Sequence, residues 1–225
     1  MSPAPLQPEP SGPERPAPEL RVHLLLRDLQ QQFAAWLATP TRARGYPPQA
    51  GQHALVVEVA PGLAIHRVAD LALRAVPAVE PGILFVERQF GVLEVHADDL
   101  AEVETAGRAI LDGLGASESD RLRPRVLYSD VIDDVGDAHA VIVNRTREAS
   151  MLLPGQSLLV HEVTPALFAA VAANEAERAA PGTTLVDVSM IGAAGRLYLA
   201  GTPDGVRAAG AAIDEVLATV EGRAH

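Results

Sequence analysis

Seven histidines, at positions 23, 53, 66, 96, 139, 161 and 225, are the side chains of this sequence best suited to proton transfer or metal binding. Their spacing supports neither. No two stand four residues apart, as a pair of helical ligands would, and no HExxH occurs. His161 and Glu162 are adjacent in a stretch that reads as a strand, where neighbours point to opposite faces. Asp130, Asp133, Asp134 and Asp137 loosely follow a calcium loop, but its central glycine and terminal glutamate are out of place, so a solvated loop is the plainer account. The glycine-rich GAAGRLYLAG of residues 192–201 leads into a strand rather than a helix, which is the wrong order for a phosphate cradle. Serine, histidine and aspartate occur without a nucleophile-elbow signature. Cysteine is absent, which removes thiol catalysis, thiolate metal sites and disulfides together. Nothing in these residues supports an enzyme, a metal site or a cofactor.

One charged pair remains. In VERQFG (86–91), adjacent Glu87 and Arg88 sit inside an otherwise apolar pair of strands, followed by Gln89, Phe90 and Gly91. A surface ion pair of small energetic worth explains it most simply. The alternative is a loop on the axis of a ring, where copies of an oppositely charged neighbouring pair interlock to close an opening or swing apart to leave it open.

The ring reading gains weight from an internal duplication. GQHALVVEVAPGLAIHRVADLALRAVP (51–77) overlays GQSLLVHEVTPALFAAVAANEAERAAP (155–181) without a gap at an offset of 104 residues. The offset extends forward, from Gly91 and Leu93 to Gly195 and Leu197, and is read backward to place Arg21 and Val22 over Arg125 and Val126. A unit this long is a domain, and two copies in one chain behave as a covalent dimer suited to pseudo-symmetric assembly. At the gate positions the second copy has Ile191 and Gly192, so the two halves would line an axis differently.

Composition narrows the partners. Hydrophobic residues make up 48% of the 225 positions and aromatics 4%, so the cores are built of Ala, Val, Leu and Ile. All 18 basic residues are arginine and the net charge is −11, which disfavours nucleic acid and anionic membranes as general partners. No apolar run spans a bilayer and the N-terminus is proline-rich, without a secretory pattern, which leads to the expectation of a cytoplasmic protein; the sequon Asn144-Arg145-Thr146 then carries no meaning. Residues 1–20 contain seven prolines with Glu, Ser and Gly between and read as a disordered tail.

The elements that position these residues follow from periodicity and punctuation. The first domain, 21–116, reads as a strand at 21–29, a short helix at 30–38, a Pro/Gly/Arg loop, a buried strand at 53–60, a helix opened by Pro61, a close strand pair at 83–89 and 91–96, and a helix capped by Asp98 or Asp99. Residues 117–124 are the linker. The second domain, 125–222, reads as strands at 125–131, 139–143 and 157–163, a helix at 165–180 capped by Thr164, a strand pair at 183–199 and a helix begun by Thr202 and Pro203. Each unit is therefore an α/β sandwich with a mostly antiparallel sheet, an α+β architecture.

At this point the residues resemble a family. ALVVEVAPGLAIHRVADLALRAV (54–76), FVERQFGVLEVHADD (85–99), ESDRLRPRVL (118–127), HAVIVNRTREASMLLPGQSLLV (139–160), ANEAERAAPGTTLVDV (173–188) and GRLYLAG (195–201) resemble, in order, the bacterial microcompartment shell domain in its circularly permuted tandem form. The similarity spans residues 20–222, covers the permuted tandem-domain proteins that include carboxysome-associated and ethanolamine-type trimers, and is greatest to their stacking subgroup. It implies a structural protein whose homotrimers form pseudohexameric tiles in the shell of a microcompartment beside other shell proteins, with two trimers able to stack and with small polar metabolites crossing a gated central pore. The gate of the subgroup, an adjacent Glu and Arg, falls on Glu87 and Arg88. The tile-edge pattern, an Asp or Asn four residues before a basic residue, falls on Asp70 with Arg74 and on Asn174 with Arg178. SMIGAAGRLYL (189–199) lacks the bulkier aromatic and basic pore segment typical of relatives, which restricts any pore contribution of the second copy to Ser189, Met190 and Gly192. A small-molecule binding or sensing module built from the duplicated domains is the rival expectation.

Overall fold

The computed structural model describes residues 17–39 and 45–225. The first copy runs β1 (Glu19–Leu26), α1 (Gln31–Leu37), β2 (His53–Ala60), a 3₁₀ turn (Gly62–Ala64), α2 (Ile65–Ala75), β3 (Glu80–Val86), β4 (Gly91–Ala97) and α3 (Leu100–Leu114). The second runs β5 (Arg125–Ile132), α4 (Asp137–Asn144), β6 (Ser157–Thr164), α5 (Phe168–Ala179), β7 (Thr184–Ser189), β8 (Gly195–Gly201) and α6 (Pro203–Ala218). Each copy forms a four-stranded sheet, ordered β1-β2-β4-β3 and β5-β6-β8-β7, with antiparallel neighbours throughout. The predicted architecture is thus the observed one.

Local chemistry explains the boundaries. Asp99 caps α3, its side chain accepting from the Ala101 N–H at 2.8 Å, and Gly115 ends the helix at φ +64. Thr202 caps α6 with Pro203 at the first turn, as the residues predict. Thr164 is not a cap. It is the last residue of β6, and a 3₁₀-like turn intervenes before α5, whose N-cap position is Leu167. The proline after each central strand, Pro61 and Pro165, follows a cis bond in both copies.

Two further expectations are corrected. Residues 139–143 form part of the helix α4 and not a strand. A short apolar run such as HAVIV has no decisive period, and Gly136 at the N-cap with Asp137 in the first turn favours a helix start. The backward offset is also wrong. Leu20 pairs with Val59 and Val22 with Glu58, whereas Val126 pairs with Val163 and Tyr128 with Glu162, so β1 and β5 are related by 106 residues while β2 and β6 keep 104. Arg21 is therefore equivalent to Leu127, and α1 to α4. Asp28 and Asp134, 106 apart, share the same positive φ of 50. The first strand begins at Glu19, inside the expected tail; residues 1–16 lie outside those described.

The core sits in layers. One face of the first sheet buries Leu55, Val57, Leu93 and Val95 against Val68, Ala72, Val103 and Ile110 of α2 and α3. Its other face, with Val22, Leu24, Leu26, Val56 and Val92, is covered by α1 and joins a core that continues into α5, α6 and the second sheet. Phe33 and Trp36 of α1 stack there at 6.0 Å. The corresponding cluster under α4 is small, with Val135, Ala140, Leu152, Leu158, Val186 and Ala200.

Candidate functional site

The β3–β4 hairpin presents the predicted gate. The Glu87 N–H donates to Phe90 O at 2.8 Å, which closes the turn and leaves Arg88 and Gln89 exposed at its tip, with Glu87 half-buried. Among the described residues, neither Glu87 nor Arg88 is held by a side-chain hydrogen bond or ion pair. Gly91 anchors the hairpin base: a Cβ there would overlap Gly62 O and Ile65, so only glycine lets the 3₁₀ turn lie against β4. Gly195 meets Ala166 and Ala169 in the same way. Phe90 is buried beneath the turn.

Behind the hairpin lies a charged support that sequence reasoning did not identify. Arg21 of β1 lies over the Phe90 ring, 5.5 Å from its centroid, and donates from Nε to Glu58 Oε1 at 2.6 Å. Glu58 is buried on β2, and its burial pushes the carboxyl above the usual range, against the pull of Arg21. Glu58 recurs as Glu162, a recurrence visible in the sequence, but its partner was not: Arg196 of β8 meets Glu162 at 2.9 Å, whereas the first copy uses β1. A second buried acid, Glu94, accepts from or donates to His96 Nδ1 at 3.0 Å; burial pushes Glu94 up and the histidine opposes this. Among the described residues, no group of three or more His, Asp or Glu is placed to hold a metal, and no helix is long and apolar enough to cross a membrane.

The second-copy segment differs. Ser189 ends β7 half-buried, Gly192 turns at φ +137, and Met190 is buried in the core. Met190 is thereby removed from any pore lining, because an apolar side chain at this position gains more from the core than from water.

The two predicted edge pairs fall in different surroundings. On α2 Arg74 is exposed and Asp70 half-buried, with Arg74 Nε 2.6 Å from Asp70 and Arg67 also within 3.1 Å. The Arg74 hydrogen bond holds the Asp70 carboxyl below the usual range. Asn174 and Arg178 are not at an outer edge. Asn174 is buried, and its Oδ1 accepts from the Gln30 N–H at 2.9 Å. Arg178 donates to the carbonyls of Arg27 and Asp28 and to the Asp28 carboxylate at 2.8 Å. Beside them Glu177 accepts from the Gln32 and Phe33 N–H groups at 2.8 and 3.0 Å, capping α1 from the other copy. Gln32 completes the clasp with bonds to Thr183 O and the Leu185 N–H. Helix α5 of the second copy thus grips the β1–α1 turn of the first.

Comparison with known proteins identifies the relatives of the chain. Residues 20–120 match the model of the CsoS1D N-terminal domain. The carboxysome shell protein CcmP of Synechococcus elongatus is 42% identical over 207 residues, covering 92% of this chain and 95% of that protein. The carboxysome shell protein CsoS1D of Hydrogenovibrio crunogenus is 42% identical over 200 residues, covering 88% and 96%. Among solved structures, the double-ringed trimeric shell protein MSM0271 from the RMM microcompartment superposes with a TM-score of 0.89 at 64% identity, covering 92% of this chain and 100% of that one. The fused permuted hexameric shell protein MSM0275 from the same microcompartment gives a TM-score of 0.86 at 44% identity, covering 91% and 99%.

Proposed function

The chain belongs to the family of microcompartment shell proteins that includes CcmP and CsoS1D, and from that premise we propose that it is a non-enzymatic tile of a bacterial microcompartment shell. Three copies would place six equivalent domains around one axis, and two such rings would stack face to face. The observation that carries this reading is the pair of sheets with identical strand order in one chain, joined by a polar clasp that fixes one copy beside the other. The double-ringed trimer among the similar structures supports the stacked form.

On this reading the β3–β4 hairpins meet at the axis, and Glu87 and Arg88 gate the opening. Charged side chains without intrachain partners, on a turn whose base is packed at Gly91 and Phe90, support this reading: a gate needs a charged tip on a fixed stem. Small polar metabolites would pass when the pairs part. Light scattering on the purified protein tests the assembly. A mass of three or six 23.6 kDa chains is expected, and a monomer would remove the axis and the pore with it.

A further inference from the structure

The two copies differ around the hairpin in three linked ways. The first carries Glu87 and Arg88 at the tip, where the second has Ile191 and Gly192. The first has Phe90 beneath the turn, where the second has Ala194. The first has Arg21 on its outer strand, where the second has Leu127. The central-strand glutamate, by contrast, is present in both as Glu58 and Glu162. The copy with the charged tip is thus the copy in which that glutamate holds an arginine over an aromatic ring.

These parts are in continuous contact. The ladder between β1 and β2 slips between Leu20 and Val22, so Arg21 is the extra residue of a bulge, and its side chain leaves the alternation to reach Glu58. Its Nε donates to Glu58 Oε1 at 2.6 Å, and its guanidinium lies 5.5 Å from the centroid of the Phe90 ring. Phe90 in turn closes the hairpin, its carbonyl accepting from the Glu87 N–H at 2.8 Å. A displacement of Phe90 therefore reaches Glu87 through a single hydrogen bond.

Glu58 is the member of this series that can be switched. It is 1% exposed, and its Oε2 is buried with no hydrogen-bond partner among the described residues. Its ladder neighbours are Val22 on β1 and Val92 on β4, which carry no charge. The charged groups that act on it are both on β1: Arg21, and Glu19, whose carboxylate is held by Arg223 of the C-terminal segment. The hairpin adds Glu87 and Arg88 at its tip. A buried carboxylate thus depends on one bond to a cation that is itself 26% exposed, and burial pushes the Glu58 carboxyl above its ordinary range. A neutral Glu58 no longer holds the guanidinium against the ring, and Arg21 has water within reach. In the second copy Glu162 is 31% exposed and Arg196 56%, and with Ala194 in place of the ring that pair has no hold on its own turn.

We propose that Arg21, Glu58 and Phe90 form a proton-sensitive latch on the β3–β4 hairpin, holding its stem while Glu58 is ionised and releasing it when Glu58 takes up a proton. Arg21 and Glu58 are positioning residues, acting on the tip through Phe90. This deepens the gate reading and rests on it. Charged tips that interlock need fixed stems, so acid is expected to leave the opening unclosed.

Because the chain has no cysteine, Gln89→Cys at the exposed tip accepts a single trifluoromethyl tag whose fluorine resonance reports the surroundings of the tip. In the tagged full chain the resonance is expected to move in one titration between about pH 8 and about pH 4, with its midpoint above the ordinary glutamate value of 4.5. Glu58→Gln, an uncharged isostere, is expected to give the acid-form resonance across the whole range. Arg21→Leu, which installs the residue of the second copy, is expected to do so at neutral pH, with circular dichroism showing the fold intact. Glu162→Gln is expected to titrate as the tagged parent does. A resonance that does not titrate, or one that still titrates in Glu58→Gln, overturns the latch and leaves the gate reading of Glu87 and Arg88 standing. A titration abolished by Glu58→Gln in a protein with the mass of one chain supports the latch and removes the axis on which a gate would act.

Discussion

Asn174 shows how one side chain holds two domains in register. Its amide oxygen accepts a hydrogen bond from the half-buried Gln30 N–H in the turn after β1, so Asn174→Ala leaves that N–H without this acceptor. The expected cost is about 1–3 kcal/mol, read as a lower denaturant midpoint at unchanged slope. Two histidines carry a pH dependence. His23 and His161 are buried, and desolvation lowers both below the ordinary 6.5, against weaker raising contributions from the Gly107 carbonyl at His23 and from Asp214 at His161. The unfolded chain therefore takes up protons that the native state resists. Stability is full above the unfolded value and is lost as pH falls through the native ones. His23→Gln with His161→Gln is expected to shrink the difference in unfolding free energy between about pH 7.5 and about pH 5, and a difference as large as the wild type's would refute the assignment.

Helix α1 illustrates an element stabilised from outside itself. It has seven residues, too few to persist alone, and its first N–H groups are capped by Glu177 from the opposite copy. Glu177→Ala is expected to cost about 0.5–2 kcal/mol and Trp36→Ala about 3–5 kcal/mol, both measured by chemical unfolding, with faster amide exchange across α1 in each. The hairpin base behaves differently. Gly91→Ala forces Gly62 or Ile65 to move, so it is expected to destabilise by about 1–3 kcal/mol and to loosen the tip that bears Glu87 and Arg88. The helix that the sequence misassigned, α4, is instructive beside α1. Its equivalence was hidden because the first copy has two more residues between strand and strand, which breaks the 104-residue offset upstream of Gly51.

For the whole molecule, the gate is best examined in the assembled state. Glu87→Ala with Arg88→Ala is expected to leave trimers intact and to give only open pores in a structure of the assembly, because no oppositely charged neighbours remain to interlock. A pore that still closes would sink the gate assignment. The charge of −11 makes chain-to-chain contacts depend on local matches rather than on overall attraction.

The sequence by itself determined the two-domain α+β plan, the central strands, the capped helices α3 and α6 and the position of the charged hairpin tip, because these follow from local period, punctuation and a gapless repeat. Tertiary structure alone decided what each repeated residue does. Asp70 and Asn174 stand at the same position of the repeat, yet one is only half-buried and the other fully buried, because only the second has a domain packed against it within the chain. Met190 is buried in the core by the same rule. Burial and hydrogen-bond partners are properties of the surroundings that packing supplies, and a repeat in the sequence cannot carry that difference.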